Sequence, residues 1–493
     1  MPTRLSADTL STLKGVAVPQ YDRTRLRPGI VHFGVGNFHR AHQAVYLDSL
    51  FGMGRDQEFA IVGAGVREGD KAMRDALASQ SYLTTVVEQS AQASTARVTG
   101  PMIDFLPVSD TPAILARLAD PATRIVSLTI TEGSYYLDAA GAFDGSHPDI
   151  LADAATPDQP KTVFGLIAAA LKARRAAAQP PFTVMSCDNV PHNGVVARAA
   201  VAGLAAHNDG GLAAFIEGEV AFPNAMVDRI TPATSQRERD LLRDDFGIED
   251  AWPVFCEDFT QWVLEDTFSH GRPALQDVGV EFVPDVTPYE LMKIRILNGG
   301  HAVMAYPAAL MGIEFAHEAM EEPLIAGFFR KVEDEEILPV VPPVPNTDTV
   351  EYCEKVFERF ANPKIGDTIA RLCFDGSNRQ PKFIVPSVRD RLAAGGTVEG
   401  LALESALWCR YCAGTTDAGT PIAPNDPRWD DLTALAIRAK DEPAAWLSME
   451  RVYGETAHAP QFRDPFHKAL RALWEAGTRT VLERYLRTGS AAP

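Results

Sequence analysis

Two textures of apolar and polar residues follow one another along the chain, and they change near Pro288. Before it, short apolar runs alternate with longer amphipathic ones. The run at 30–33 meets Gly34-Val35-Gly36 and then a helical pattern through 39–51. A second apolar strand at 59–62 runs into the glycine-containing stretch 63–68, and RIVSLTI at 124–130 and PFTVMSCDN at 181–189 read as further strands. Helical patterns occupy 161–178, 194–206 and 211–219. Strand followed by helix, repeated, predicts a mostly parallel, doubly wound sheet. YLTTVVEQ at 82–89 and TARVTGPMIDFLPV at 95–108 read as an antiparallel excursion from it. After Pro288, Leu291, Ile294, Leu297, His301, Met304 and Ala308 recur at helical spacing, with Asp285 or Thr287 as cap and Pro288 in the first turn. The remainder is rich in Ala, Leu, Glu and Arg, apart from a proline loop at 338–346. The predicted fold is therefore α/β: a Rossmann-type doubly wound domain over 1–285, then a mostly α-helical domain over 286–493.

Composition narrows the partners. The chain has 493 residues, 46% hydrophobic and 23% charged, enough for two or three domains with their own cores. Its 36 Gly and 35 Pro are ordinary at this length, which excludes collagen-like and low-complexity classes. A formal net charge of −19 repels phosphate backbones and anionic lipid, so neither nucleic acid nor membrane is an expected partner. Six scattered cysteines do not make a disulfide framework, and the single CxxC, Cys409 and Cys412, sits in an apolar run that reads as helical core. No further ligands stand at zinc spacing, so no metal is expected. The first 15 residues lack an apolar signal region and no apolar run approaches 18 residues, so the expected location is the cytoplasm.

Two places carry candidate chemistry. Strand, Gly34-x-Gly36 turn and helix form the opening of a dinucleotide-binding unit, although glycines between strand and helix are common and the third glycine position holds His39. Exposed amides at the helix N-terminus, at Asn37 and Phe38, together with Arg40, suit a pyrophosphate. Glu68, at the end of the second strand, suits the ribose hydroxyls of NAD and repels the extra phosphate of NADP; a solvated strand-end charge is the alternative. The second place is KIRILNGGH at 293–301. At about 100° per residue, Lys293, His301 and Asn298 fall near roughly 0°, 80° and 140° of a helix, on one broad face. Singly, each reads as a snorkelling lysine, an interior asparagine or a core histidine. Two glycines inside a helix cost about 1 kcal/mol each and point to close approach by a ligand or another backbone.

With these residues in hand, the chain resembles the polyol-specific long-chain dehydrogenase/reductase family. The matching blocks are GVGNFHRAHQ, TEGSYY, SCDNVPHNG, FPNAMVDRITP, KIRILNGGH and RLCFDGSNRQPKF, spread from Gly34 to Phe383. The resemblance implies metal-independent, NAD-dependent oxidation of D-mannitol at C2 to D-fructose, and it accounts for the non-glycine third position of the turn. It places the general base on Lys293, oxyanion donors on Asn189 and Asn298, and a substrate-positioning imidazole on His301. It places polyol contacts on Asp228 and Arg371, with Arg379 or Lys382 as a further cation, and a proton relay on Glu132 and Glu290. It suggests a monomer. Within the family, reduction of fructuronate or tagaturonate, or oxidation of arabinitol or sorbitol, remains open. Outside it stands an NAD-sensing protein without turnover, which would have no use for a lysine beside two oxyanion donors.

Overall fold

The computed structural model describes residues 2–492 except 66, 68, 108–109 and 139–140. Chain contacts divide it into two compact units, Met1–Thr287 and Pro288–Pro493. In the first, strands β1 (Pro28–Phe33) and β2 (Ala60–Ala64) are followed by β3 (Thr84–Gln89), β4 (Ser94–Thr99) and β5 (Met102–Leu106). Then come β6 (Ile125–Leu128), β7 (Thr183–Ser186), β8 (Ala225–Asp228), β9 (Val254–Glu257), β10 (Gln261–Glu265) and β11 (Glu281–Val283). Five of them form one parallel sheet in the order β5-β2-β1-β6-β7. Counted along the chain, that order is third, second, first, fourth, fifth, the Rossmann arrangement, and its direction reverses between β1 and β6.

Side-chain alternation explains why this sheet is covered twice. Val31, Phe33, Val126, Leu128 and Val184 face helices α3 (Val163–Ala176) and α4 (Asn193–Ala206), sharing a core with Phe164, Ile167, Leu171 and Val201. Their neighbours Ile30, Ile125 and Met185 point the other way, onto Leu47, Leu50 and Phe51 of α2 (Gln43–Gly52). A strand apolar on both sides reads as a continuous run, which is why the alternation was invisible in the sequence. The helix expected over 39–51 is broken: a single turn, α1 (Asn37–Ala41), ends at His42 before α2 begins.

The expected antiparallel excursion is half right. β3 and β4 pair antiparallel, and β9 joins β3 in parallel. β5, however, returns to the main sheet as the parallel edge partner of β2. A third sheet, β11-β10-β8, carries the MVDRITP segment.

The second unit is helical. In the first unit a further helix, α5 (Gly210–Glu219), follows α4; the helices that follow the sheets begin with α6 (Thr287–Met292), whose start is held by Asp285 accepting the Thr287 N–H at 2.9 Å. Residues Lys293–Gly299 then form a π-helical turn, continued by α7 (Gly300–Leu310). Further helices are α8 (Pro323–Val332), α9 (Thr349–Phe360), α10 (Ile369–Leu372), α11 (Gly376–Phe383), α12 (Glu399–Cys412) and α13 (Pro460–Thr488). The central helix α12 is buried nearly all round, and Cys409 and Cys412 lie in it as free, buried thiols. Its N-terminus is capped from outside: Glu336 accepts the Gly400 and Leu401 N–H groups at 2.7 and 2.8 Å. Among the described residues no helix is long and apolar enough to cross a membrane.

Candidate active site

In the first unit, candidate residues gather at the carboxyl ends of β1, β6 and β7, where a doubly wound sheet opens a crevice at its reversal point. Gly34 leaves β1 with φ +89°, and a Cβ there would lie 2.0 Å from the Thr129 carbonyl oxygen that follows β6. Only glycine fits, because the two strand ends touch through backbone. Gly36 caps α1 with no atom nearer than 3.7 Å to a Cβ position, which leaves the turn open to an incoming group. This opening, beside the first amides of α1, fits a dinucleotide.

One expectation at the turn changes. Arg40 does not present its guanidinium to a pyrophosphate. It is 1% exposed and donates to the Gly36 carbonyl at 3.2 Å, to Asn37 Oδ1 at 2.8 Å and to the Trp252 carbonyl. Burial lowers it to about 10, and its work is to brace the turn. The Asn37 side chain is likewise engaged, its Nδ2 donating to the Pro232 carbonyl and Thr234 Oγ1. Phe38 stacks on His42 at 4.8 Å. His39 explains the missing third glycine: its ring lies parallel on His32 of β1 at 3.5 Å, so helix and strand pack through two imidazoles. Burial holds both rings neutral, His32 at about 3. Glu68 lies outside the described residues.

Asn189 follows β7 and is exposed, while its neighbour Asp188 is buried. The Asp188 carboxylate accepts N–H groups of Ile130 at 3.0 Å and Thr131 at 2.8 Å, and the Tyr135 hydroxyl at 2.7 Å. It thereby ties the end of β7 to the segment bearing Glu132, which is exposed. Asn193 continues the tie: its amide donates to the Asp188 and Ala225 carbonyls at 3.0 and 2.7 Å and accepts the Ala225 N–H at 2.9 Å. Asp228, 4% exposed, ends β8. Beside it, Arg229 donates to the Glu257 and Ala41 carbonyls and to Glu88, fixing that strand end.

In the second unit Lys293, Asn298 and His301 lie on the π turn and the first turn of α7. The α-helical angles expected for them do not apply, because a π turn bonds each residue to the fifth along and advances less per residue. Lys293 and Glu290 are 8% and 6% exposed. The Asn298 carboxamide oxygen is buried with no hydrogen-bond partner among the described residues, an atom left for a ligand to satisfy. His301 is held far below the usual imidazole range by burial and by the positive charges of Arg371, Arg359, Arg379 and Lys293. The same neighbourhood therefore holds three of the expected cations. The double glycine admits a side chain as well as backbone: a Cβ at Gly300 would lie 2.7 Å from the Phe329 ring, and one at Gly299 would lie 3.3 Å from the Phe383 carbonyl oxygen.

Arg371 is paired with Asp367, its Nε donating to Oδ1 at 2.6 Å and its Nη2 to Oδ2. Arg379 donates to the Leu372 carbonyl at 3.1 Å. Lys382 is exposed and lies in the field of Asp375 rather than of His301. Arg295 is neutralised by Asp390 and adds no free charge. Among the described residues no group of three or more His, Cys, Asp or Glu side chains is placed to hold a metal ion.

Residues 28–277 match the mannitol dehydrogenase Rossmann domain, and residues 285–474 match the mannitol dehydrogenase C-terminal domain. The chain belongs to the mannitol dehydrogenase family. A mannitol 2-dehydrogenase of Cereibacter sphaeroides is 59% identical over 474 residues, covering 96% of this chain and 99% of its own. One from Neosartorya fischeri is 40% identical over 98% of this chain and 99% of its own. Among solved structures, the Pseudomonas fluorescens mannitol 2-dehydrogenase in ternary complex with NAD and D-mannitol has a TM-score of 0.91 and 44% identity, covering 99% of this chain and 100% of its own. A substrate-free D-sorbitol dehydrogenase has a TM-score of 0.87 and 35% identity over 96% of this chain and 99% of its own.

Against this family background, three supporting residues stand out that motif reading passed over. Asp188 and Asn193 sit inside SCDNVPHNG on either side of Asn189. Alternation carried past β7 would have found Asp188, since it shares a face with Ser186, and Tyr135 reaches both hydroxyl and carboxylate. Asp367 carries no signal of its own except its spacing of four from Arg371 across a helix start.

Proposed function

We propose that the chain is an NAD-dependent polyol dehydrogenase that oxidises D-mannitol at C2 to D-fructose, reversibly and without a metal. The observation that carries the reading is the common neighbourhood of Lys293, His301, Arg371 and Arg379, beside Asn298 with its unpartnered carboxamide oxygen. Membership of the mannitol dehydrogenase family and the NAD and D-mannitol bound to the Pseudomonas fluorescens relative support the cofactor and the polyol. NAD, when bound, accepts the hydride from C2.

The chain's own residues manage the proton and the oxygen. Lys293 Nζ takes the C2 hydroxyl proton. A lysine is ordinarily protonated near neutrality, at about 10.4, so this role requires a desolvated amine in a field of positive charge. Its burial supplies the desolvation that role needs. General-base action of this kind is worth about 10²–10⁴-fold. Carboxamide N–H groups of Asn189 and Asn298 donate to the C2 oxygen as charge gathers there, each worth about 10²–10³-fold. His301, Asp228 and Arg371 hold neighbouring hydroxyls, and Glu132 and Glu290 relay the proton. In the reducing direction the Lys293 ammonium returns it to the carbonyl oxygen. Asp367 already satisfies Arg371, which favours a neutral polyol over a uronate carboxylate.

The test is NADH consumption with D-fructose and, separately, with D-fructuronate, both under a chelator. Turnover of fructose alone is expected. Lys293→Ala is expected to lower it by at least 10²-fold while NADH affinity stays within about twofold. Turnover of fructuronate alone, or loss of nucleotide binding in parallel with activity, overturns the reading.

A further inference from the structure

An imidazole that holds substrate hydroxyls at both ring nitrogens cannot have one of them tied to protein. The usual way of orienting a functional histidine, a hydrogen bond to the second nitrogen, is then closed to it. His301 meets this condition: among the described residues no hydrogen bond reaches its ring. What it has is a face contact. Phe360, the last residue of α9 and 3% exposed, lies parallel to it with ring centroids 4.2 Å apart and an interplanar angle of 16°.

Phe360 is itself backed. Phe329 of α8 lies behind it at 5.6 Å and 18°, and Phe357 lies on Phe329 at 4.2 Å and 12°. Phe329 in turn presses on Gly300, where an added Cβ would fall 2.7 Å from its ring. The residue before His301 is therefore clamped by the same aromatic wall that supports the imidazole face. Arg359, adjacent to Phe360 and buried, contributes positive charge at the ring and, with burial, keeps it neutral, so that it retains one donor and one acceptor.

We propose that Phe360 is the positioning residue for His301: it sets the plane of the imidazole by stacking and leaves both ring nitrogens for two hydroxyls of the polyol. The proposal rests on His301 contacting the polyol. An aromatic pair contributes enough beyond its buried area to alter a rate about three- to tenfold when lost.

The experiment is a double-mutant cycle between Phe360→Leu and His301→Ala, read as kcat/KM for D-mannitol with KM for NAD and the melting temperature alongside. Phe360→Leu is expected to lower kcat/KM three- to tenfold at unchanged KM for NAD. Phe360→Tyr, which keeps the ring face, is expected to recover most of that loss. In the His301→Ala background Phe360→Leu is expected to add nothing. Equal losses in both backgrounds, or full activity of Phe360→Leu, overturn the proposal. If the leucine variant does not fold, Phe360→Met is put through the same cycle and read by the same criteria. Wild-type activity of His301→Ala alone refutes the polyol contact of His301, and so marks failure of the functional reading separately from failure of the stack.

Discussion

Asp188→Asn removes one negative charge and exchanges one acceptor oxygen for a donor, with almost no change of shape. The carboxylate accepts three hydrogen bonds from β6-end backbone and Tyr135, all within 3.0 Å, at a side chain 7% exposed. An asparagine oxygen can satisfy one side, but its NH₂ then faces an N–H or O–H donor on the other. A hydrogen bond to a charged group contributes about 1.5–3 kcal/mol, and an orphaned buried donor costs about 1–3 kcal/mol. The expected destabilisation is about 2–4 kcal/mol. A functional effect accompanies it, because Thr131 sits at φ +73° and ψ 155°, a conformation that a threonine holds only under constraint. Its N–H is one of the three bonds, and Glu132 is the next residue. Loosening it displaces Glu132 and Asn189 together, so kcat/KM for D-mannitol is expected to fall at least tenfold. Urea denaturation measures the first effect through the midpoint at unchanged slope, and initial rates measure the second. Tyr135→Phe, which loses the bonds to Asp188 and Ser186 but leaves the carboxylate and its two backbone donors in place, is expected to cost about 1–2 kcal/mol. An Asp188→Asn protein within about 0.5 kcal/mol of wild type and with wild-type rates would refute this account.

Three shorter predictions follow from other sites. Arg40→Met removes the side-chain donor to the Gly36 and Trp252 carbonyls and to Asn37 Oδ1, so it is expected to lower stability by about 2–4 kcal/mol; a KM for NAD raised tenfold at unchanged melting temperature would instead place the guanidinium on the cofactor. Glu404 is fully buried and pushed up to about 8 by desolvation, so its contribution is complete below the unfolded value near 4.5 and is lost as pH rises towards 8, by at most about 5 kcal/mol. Melting temperatures between pH 5 and 8.5 should show that fall, and Glu404→Gln should flatten it; an equally steep fall in the variant assigns it elsewhere. Glu68→Lys is expected to move the ratio of NAD to NADP turnover at least tenfold towards NADP, and an unchanged ratio removes Glu68 from cofactor choice.

What could be read from the sequence was local. The glycine turn after β1, the strand-helix alternation and the helical texture after Pro288 each depend on neighbours within a few residues, and the structure has them. What could not be read depends on which side of an element meets what. Arg40 and Asn189 both look like exposed polar residues in a motif; one is buried with three donors engaged and the other is exposed. β5 reads from sequence as part of an antiparallel excursion, but it pairs parallel with β2, because pairing follows from the whole sheet and not from the strand. Phe360 lies 59 positions from His301 in an amphipathic helix with no motif, and only tertiary packing joins them.

The π turn is where this limit matters most for chemistry. In an α-helix, residues five apart differ by about 140° and look to different sides, so Lys293 and Asn298 would share a face only loosely. A turn hydrogen-bonded from each residue to the fifth brings residues at that spacing nearly one above the other. The π register over Lys293–Gly299 therefore aligns the proposed base with the proposed oxyanion donor, which the α-helical reading does not. Such a turn is less stable than the α-helix it interrupts and needs packing to hold it. Here Phe329 against Gly300 and the Phe383 carbonyl against Gly299 close on the end of the turn, where any side chain would push them away. The two glycines thus serve the proposed mechanism through geometry: they let the neighbouring helices approach closely enough to keep five-residue spacing over Lys293–Gly299.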